Sequence, residues 1–343
     1  MPKSSPVPAF FARSAASGGS NAALGRRWLR ATGIHRFQLA SKNKQESSDR
    51  MASPSGYPRG NSMSESGLPA TQIPWPFKYD LWGISVSATT YDELLDRVLQ
   101  AATCNVPAIV DHMPVHGLVE AVRDTSLRHV LNAFSVLAPD GQPVRWALNV
   151  FHDLALPDRV YGPEFMKRLC GRAAQDGHGV FLYGGSARAV VKLKARLKAM
   201  FPGLSIAGCE SPPYRELTPE EDREAIDRIN GSGARIVFLG LGCPRQEIFA
   251  HQHRDSIKGV QVCVGAAFDF LSGEKRMAPR WMQDRGLEWL FRLSTEPRRL
   301  HKRYLRTNSI FMLLVVRELW RRKGRHSRAP TRGPGASWPR GSL

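Results

Sequence analysis

The stretch "GVFLYGGSARAVVKLKARLKAMF", Gly179–Phe201, decides the fold. Val180 to Tyr183 form a short, wholly apolar run, which predicts a strand buried on both faces. Gly184–Gly185 breaks that run. Ser186 then stands in the position of a helix N-cap, and "ARAVVKLKARLKAMF" carries helical periodicity. The unit is therefore strand, tight turn, amphipathic helix.

The same unit recurs on either side. "PAIVDH" (107–112), "FSVLAPD" (134–140), "LSIAGC" (204–209), "ARIVFLGLG" (234–242) and "VQVCVGAAFDF" (260–270) read as strands. Helical segments alternate with them: "PVHGLVEAVRD" (114–124), "QPVRWALNVFHD" (142–153), "PEFMKRLCGRAAQDG" (163–177), "TPEEDREAIDRING" (218–231) and "RQEIFAHQH" (245–253). Thr218, Pro219 and Glu221 spell a capping box, and Gly177 suits a C-cap. Strands alternating with helices predict an α/β fold: a Rossmann-like parallel sheet with helices on both faces, spanning 75–273.

Composition changes outside those limits. Residues 1–70 hold no acidic side chain before Glu46, against eight Lys or Arg, and are rich in Ser, Gly and Pro. Such a segment buries too little apolar surface to offset its ordering entropy, so a disordered leader is expected, as is a disordered tail at 327–343. Between Lys275 and Arg325 there are 15 Lys or Arg against four Asp or Glu, with Trp281, Trp289, Phe291 and Tyr304 interleaved. The apolar run "IFMLLVVRELW" (310–320) is too short to cross a bilayer, which takes about 20 residues. Residues 274–326 read as a basic helical C-terminal appendage, suited either to an anionic membrane surface or to docking on its own domain.

The net charge of +19 implies an anionic partner: nucleic acid, membrane surface or phosphorylated substrate. Five cysteines without a CxxC pair fit a reducing compartment and no zinc knuckle. His112 and His116, four apart with Asp111 adjacent, are candidates for a metal site, but Pro114 between them marks a change from strand to helix that speaks against the shared helix face a metal pair needs.

In open parallel sheets, ligands bind outside the carboxyl ends of the strands. The residues expected there are Asp111–His112, Asp140, Gly184–Gly185, Gly240–Gly242 and Asp269. Asp140, in "LAPDGQPV" (137–144), closes an apolar strand with a carboxylate; it is either a catalytic base or the turn-former of an Asp-Gly pair. Gly184–Gly185 before a helix suits a phosphate, or is simply a tight turn. "GLGCPR" lacks the third glycine of a dinucleotide fingerprint, which speaks against a nicotinamide-linked oxidoreductase. Gln246 and Glu247, opening the next helix, can hydrogen-bond a base or sugar hydroxyls. A nucleic-acid binder is the remaining alternative, and no reading module supports it.

Taken in order, "LAPDGQPV", "RVYGPEFM", "FLYGG", "LGLGCPRQE", "VGAAFDFLSGEKRMAP" and "WMQDRGLEWLFRLSTEPRRLHKRYL" resemble the WecG/TagA/CpsF family of bacterial glycosyltransferases, over about Tyr79 to Arg306. The resemblance implies an inverting, metal-independent enzyme with no cofactor. Its donor would be a UDP-sugar (N-acetylmannosamine, glucose or related) and its acceptor a lipid-linked saccharide, in exopolysaccharide or other surface-glycan synthesis. It would act as a peripheral protein on the inner face of the cytoplasmic membrane, with self-association possible and no nucleic-acid partner. The family base falls on Asp140 and a family arginine on Arg159. The appendage arginines that close over the donor fall near Arg292 and Arg299. Substrate contacts are expected from His112, Gly184, Gly185, Gly240, Gly242, Gln246, Glu247 and Asp269. One departure stands out: where the family has Thr-x-Asn at the first strand end, this chain has His112 and Pro114.

Overall fold

A computed structural model describes residues 73–326. The expected leader (1–70) and tail (327–343) lie outside the described residues. The described chain opens on a hairpin, β1 (Lys78–Leu81) and β2 (Ile84–Ser87), paired antiparallel. Its two-residue turn puts Trp82 and Gly83 at φ 58° and 90°, the left-handed pair that matches strand twist. This hairpin is not expected from the sequence, because its strands are only four residues each.

Six strands form the main sheet: β3 (Ala108–Met113), β4 (Val136–Pro139), β5 (Val180–Gly184), β6 (Ile206–Glu210), β7 (Ile236–Gly240) and β8 (Val260–Cys263). Their spatial order is β4-β3-β8-β7-β5-β6, and every pairing is parallel. β3, β4, β5 and β8 are buried throughout, which is why they read as unbroken apolar runs; the edge strand β6 is partly exposed. β5 continues to the edge at β6 while β7 continues the other way to β8. The crevice between β5 and β7 is therefore a topological switch point, where sheets of this kind bind ligands.

Helices cover both faces. On one, α1 (Tyr91–Cys104), α5 (Gly162–Asp176), α6 (Ala187–Met200) and α9 (Ala267–Ser272) pack Leu94, Phe165, Leu193 and Phe268 against Val110, Leu182, Phe238 and Val262. The other face carries α2 (Val115–Arg123), α3 (Thr125–Asn132) and α8 (Arg245–Gln252), where Phe249 stacks on Tyr183 at 5.0 Å. α4 (Gln142–His152) leaves the end of β4, and α7 (Pro219–Gly231) starts with the expected capping box. Three further helices build the appendage: α10 (Arg280–Asp284), α11 (Glu288–Thr295) and α12 (Pro297–His326).

Three expectations need correction. "VQVCVGAAFDF" is not one strand: β8 stops at Cys263, Gly265 turns at φ 49°, and the rest is α9. Ala267, Phe268, Phe270 and Leu271 are buried at helical rather than alternating spacing. Asp269 is consequently on a helix and not at a strand end. Second, His251-x-His253 reads in the sequence as solvated surface at a polar helix end, but His253 is buried, with ring nitrogens 2.8 Å from Asp222 Oδ2 and 2.9 Å from the Phe249 carbonyl. Third, the Gly185 N–H is not free for a phosphate, because it donates to the Gly240 carbonyl at 3.0 Å.

The glycines of β5 and β7 have a packing reason. Gly184 and Gly240 face each other in register. A Cβ on Gly184, at φ 129°, would lie 2.5 Å from the Gly240 carbonyl carbon, and one on Gly240 would lie 2.7 Å from the Phe268 ring. Only glycine allows this approach at the switch point.

α12 has 30 residues, about 45 Å at 1.5 Å per residue. Leu300, Thr307, Phe311 and Val315 are buried. Phe311 meets the hairpin's Trp82 edge-on at 5.6 Å, and the helix packs along α2. Leu305, Met312, Val316 and Trp320, spaced seven, four and four, stay exposed as a second stripe. Among the described residues, no helix is long and apolar enough to cross a membrane.

Candidate active site

Asp140 leaves the carboxyl end of β4. Its N–H donates to the Met113 carbonyl (3.2 Å), its Oδ1 accepts from the Gly162 N–H (3.0 Å), and its carbonyl accepts from Arg159 Nη1 (3.2 Å). The Val160 N–H donates to the Pro139 carbonyl (2.9 Å), so the segment before α5 folds back over the strand end and carries Arg159 with it. Burial pushes the Asp140 carboxyl up to about 6; Arg159, the Gly162 N–H and Arg292 oppose this, and Glu288 adds to it.

Arg159 is itself buried. Its Nη2 donates to Glu288 Oε2 at 2.8 Å and to Gln283 Oε1 at 3.3 Å, and its guanidinium stacks 4.2 Å over the Tyr161 ring. The other oxygen of Glu288 accepts from Arg292 Nη2 (2.6 Å) and the Tyr161 hydroxyl (3.1 Å). Burial alone would raise the Glu288 carboxyl, but Arg292 and Arg159 outweigh it and hold it below the usual carboxylate range. Glu288 is the residue that sequence reasoning missed. Its signal was present: a lone acid in "GLEWLFR", inside a strongly basic segment.

Two clefts flank this network. The larger, about 330 Å³, lies between α9, α11 and α12 and is walled by Phe270, Lys275, Arg276, Arg292, Arg299 and Arg303. The Nε atoms of Arg292 and Arg303 are buried and have no hydrogen-bond partner. Asp269 does not line it but is tied to its wall by a chain of ion pairs: Asp269–Lys275 (2.9 Å), Lys275–Glu296 (3.4 Å) and Glu296–Arg299 (2.5 Å). The smaller cleft, about 230 Å³, opens beside Arg159, Tyr161, Tyr91, Lys167 and Arg280.

A second polar cluster lies at the ends of β3 and β7. Asp111, His112, Gln246 and Glu247 are each at least nine-tenths buried. His112 Nδ1 lies 3.0 Å from the Cys263 carbonyl. A carbonyl only accepts, so that nitrogen carries the proton and Nε2 is a bare acceptor; burial lowers the ring pKa to about 4, keeping it neutral. Gln246 Nε2 donates to Glu247 Oε1 at 3.1 Å. Both Asp111 oxygens, Gln246 Oε1, Glu247 Oε2 and His112 Nε2 are left without partners. Burial raises the Asp111 and Glu247 carboxyls, and Glu247 raises Asp111 further, as does the charge of Asp140.

The structure thus joins Asp140, Arg159 and Arg292 in one network, and Asp111, Gln246 and Glu247 in a neighbouring cluster; the His112 ring lies on the opposite face of β3, 4.9 Å from the Phe165 ring. Gly184, Gly185, Gly240 and Gly242 belong to the ends of β5 and β7 and line neither cleft. Among the described residues, no three His, Cys, Asp or Glu side chains are grouped to hold a metal ion.

An open parallel sheet, with acids and arginines gathered outside the carboxyl ends of its strands, is the layout of a Rossmann-like ligand-binding protein. The chain belongs to the glycosyl transferase WecG/TagA/CpsF family, whose model matches residues 79–325. The matched span takes in the sheet and nearly all of the appendage, so the basic helices are part of the family's own architecture.

Proposed function

We propose that the chain is an inverting glycosyltransferase that moves a sugar from a UDP-sugar to a lipid-linked saccharide, in exopolysaccharide or another cell-surface glycan, without a metal ion. The observation that carries this is the juxtaposition of the Asp140 carboxyl, raised to about 6, with the Arg159–Glu288–Arg292 network, whose Arg292 stands on the wall of a basic cleft. Inversion is a single displacement at the anomeric carbon. Asp140 accepts the proton of the attacking hydroxyl as the new C–O bond forms. The bond to the UDP oxygen breaks, and the diphosphate leaves with one further negative charge. Arg292 and Arg303, which line the basic cleft, would receive that charge, and such charge-assisted bonds are about twice as strong as neutral ones.

The unpartnered acceptors Asp111, His112, Gln246 and Glu247 suit sugar hydroxyls. The exposed apolar stripe of α12, bordered by Arg306, Arg317 and Arg321, suits an anionic bilayer surface, with the protein lying on the inner face of the cytoplasmic membrane. The decisive experiment incubates the purified full chain with a panel of UDP-sugars and a lipid-linked diphosphate saccharide, reading products by mass. Transfer by the wild type and its loss in Asp140→Asn are the expected results. Consumption of no UDP-sugar, or undiminished turnover by the variant, would sink the proposal.

A further inference from the structure

We infer that Glu288 is a positioning residue for this transfer: its carboxylate bridges Arg159 of the sheet domain to Arg292 of the appendage, and so sets Arg292 on the wall of the larger, basic cleft and Arg159 beside the smaller one. The inference rests on the transferase proposal above.

The geometry is specific to a carboxylate. Oε2 takes Arg159 Nη2 at 2.8 Å, and Oε1 takes Arg292 Nη2 at 2.6 Å together with the Tyr161 hydroxyl at 3.1 Å. Two arginines can be served this way only by two anionic oxygens. A glutamine has one acceptor and one donor, and its amide N–H would oppose one guanidinium. The bridge is almost fully buried, with side-chain exposures of 8% for Arg159 and 11% for Glu288. Two arginines buried together repel; one carboxylate between them leaves a single net positive charge for the diphosphate. The bridge occupies only part of each donor set, since Arg292 Nε remains buried and partnerless beside the cleft. Glu288 also lies 129 residues from Arg159, in the appendage, so the anion site is complete only when α11 is seated on the sheet domain.

A role confined to holding the fold differs from a positioning role in its effect on Asp140. The charges facing Asp140 are Arg159 from the segment before α5, Glu288 and Arg292 from α11, and Asp111 from β3; the neutral phenols Tyr91 and Tyr161 also face it. Glu288 raises its carboxyl and both arginines lower it. Removing the Glu288 charge therefore lowers the Asp140 pKa, and the acid limb of the rate profile moves to lower pH.

The test uses the full-length chain as wild type, Glu288→Gln and Glu288→Asp, each checked for a cooperative thermal melt. UDP affinity is measured by calorimetry, and transfer as kcat and KM across pH 5–8. Glu288→Gln should weaken UDP at least tenfold, raise the donor KM, and shift the acid limb down by about one pH unit. Glu288→Asp, which keeps the charge, should restore the limb to within a few tenths of a unit. If Glu288→Gln melts like wild type yet matches it in UDP affinity and acid limb, the positioning role is wrong while the transferase proposal stands. If both variants lose activity in step with melting temperature and the limb does not move, the role is purely structural and the inference fails. A wild type that neither binds UDP nor consumes any UDP-sugar overturns the transferase proposal, and this inference with it.

Discussion

The strand ends of the sheet and the face of the appendage that covers them are opposite in charge chemistry. The sheet contributes Asp111, Asp140 and, through α8, Glu247, all with carboxyls raised by burial. The appendage lines its cleft with Lys275, Arg276, Arg292, Arg299 and Arg303. Each region also lends the other one residue of the opposing sign: Arg159 comes from the sheet domain and Glu288 from the appendage, and they meet at 2.8 Å. Under the proposed function, desolvation serves acid–base work in one half, where a raised carboxyl is a useful base, while the other half offers guanidiniums too basic to be neutralised as an anion site. The exchanged pair makes the two halves one site.

The largest expected effect falls on the acidic half. Asp140→Asn should lower transfer by roughly 10²–10⁴-fold with UDP affinity kept within about twofold, as kinetics and calorimetry on one preparation would read. A comparable drop in UDP affinity would move Asp140 from the acid half to the anion site. The exchanged pair comes next. Arg159→Ala leaves Glu288 buried with Arg292 and the Tyr161 hydroxyl, and should cost about 1.5–3 kcal/mol in urea unfolding. A cost below 1 kcal/mol would mean that the two regions are not coupled through this contact.

Gly184→Ala probes the floor beneath both. A methyl 2.5 Å from the Gly240 backbone, at φ 129°, should destabilise by roughly 2 kcal/mol, whereas Gly233→Ala, strained at φ 72° but with open space around its Cβ, should cost less. Equal melting temperatures for the two would remove the close-approach explanation. On the outer surface of α12, replacing Met312 and Trp320 by Gln should lower the affinity for anionic vesicles about tenfold and leave thermal stability within ~0.5 kcal/mol. Co-sedimentation equal to wild type would assign that stripe to something other than lipid. The subtlest expectation is the pH profile: with a base near 6, kcat/KM should rise through about pH 6 and level off above it.

Much of the fold is legible because its signals are local. Strand–turn–helix units, the Thr218–Glu221 capping box and the Ser186 cap depend on neighbours within a few residues, and all three are present. The misread segment is instructive: "VCVGAAFDF" is apolar but for Asp269, so its period switches from strand to helix at Gly265 with no polar residue at the change. The site was legible by position but not by contact. Asp140 could be named from where it stands and Arg159 from the family resemblance, whereas the state of Asp111 could not, since nothing in "IVDHM" tells that both of its oxygens are buried and unpaired.

What the sequence by itself determined is the alternation of buried strands with amphipathic helices, the carboxylate closing β4, and the concentration of cations after Lys275; each follows from side-chain periodicity and composition along the chain. Only the tertiary structure decided that Gly184 must meet Gly240, that α12 buries one stripe against α2 and exposes another, and that Glu288 bridges Arg159 to Arg292. Those contacts join residues far apart in sequence, and their energies depend on burial, which no local pattern encodes.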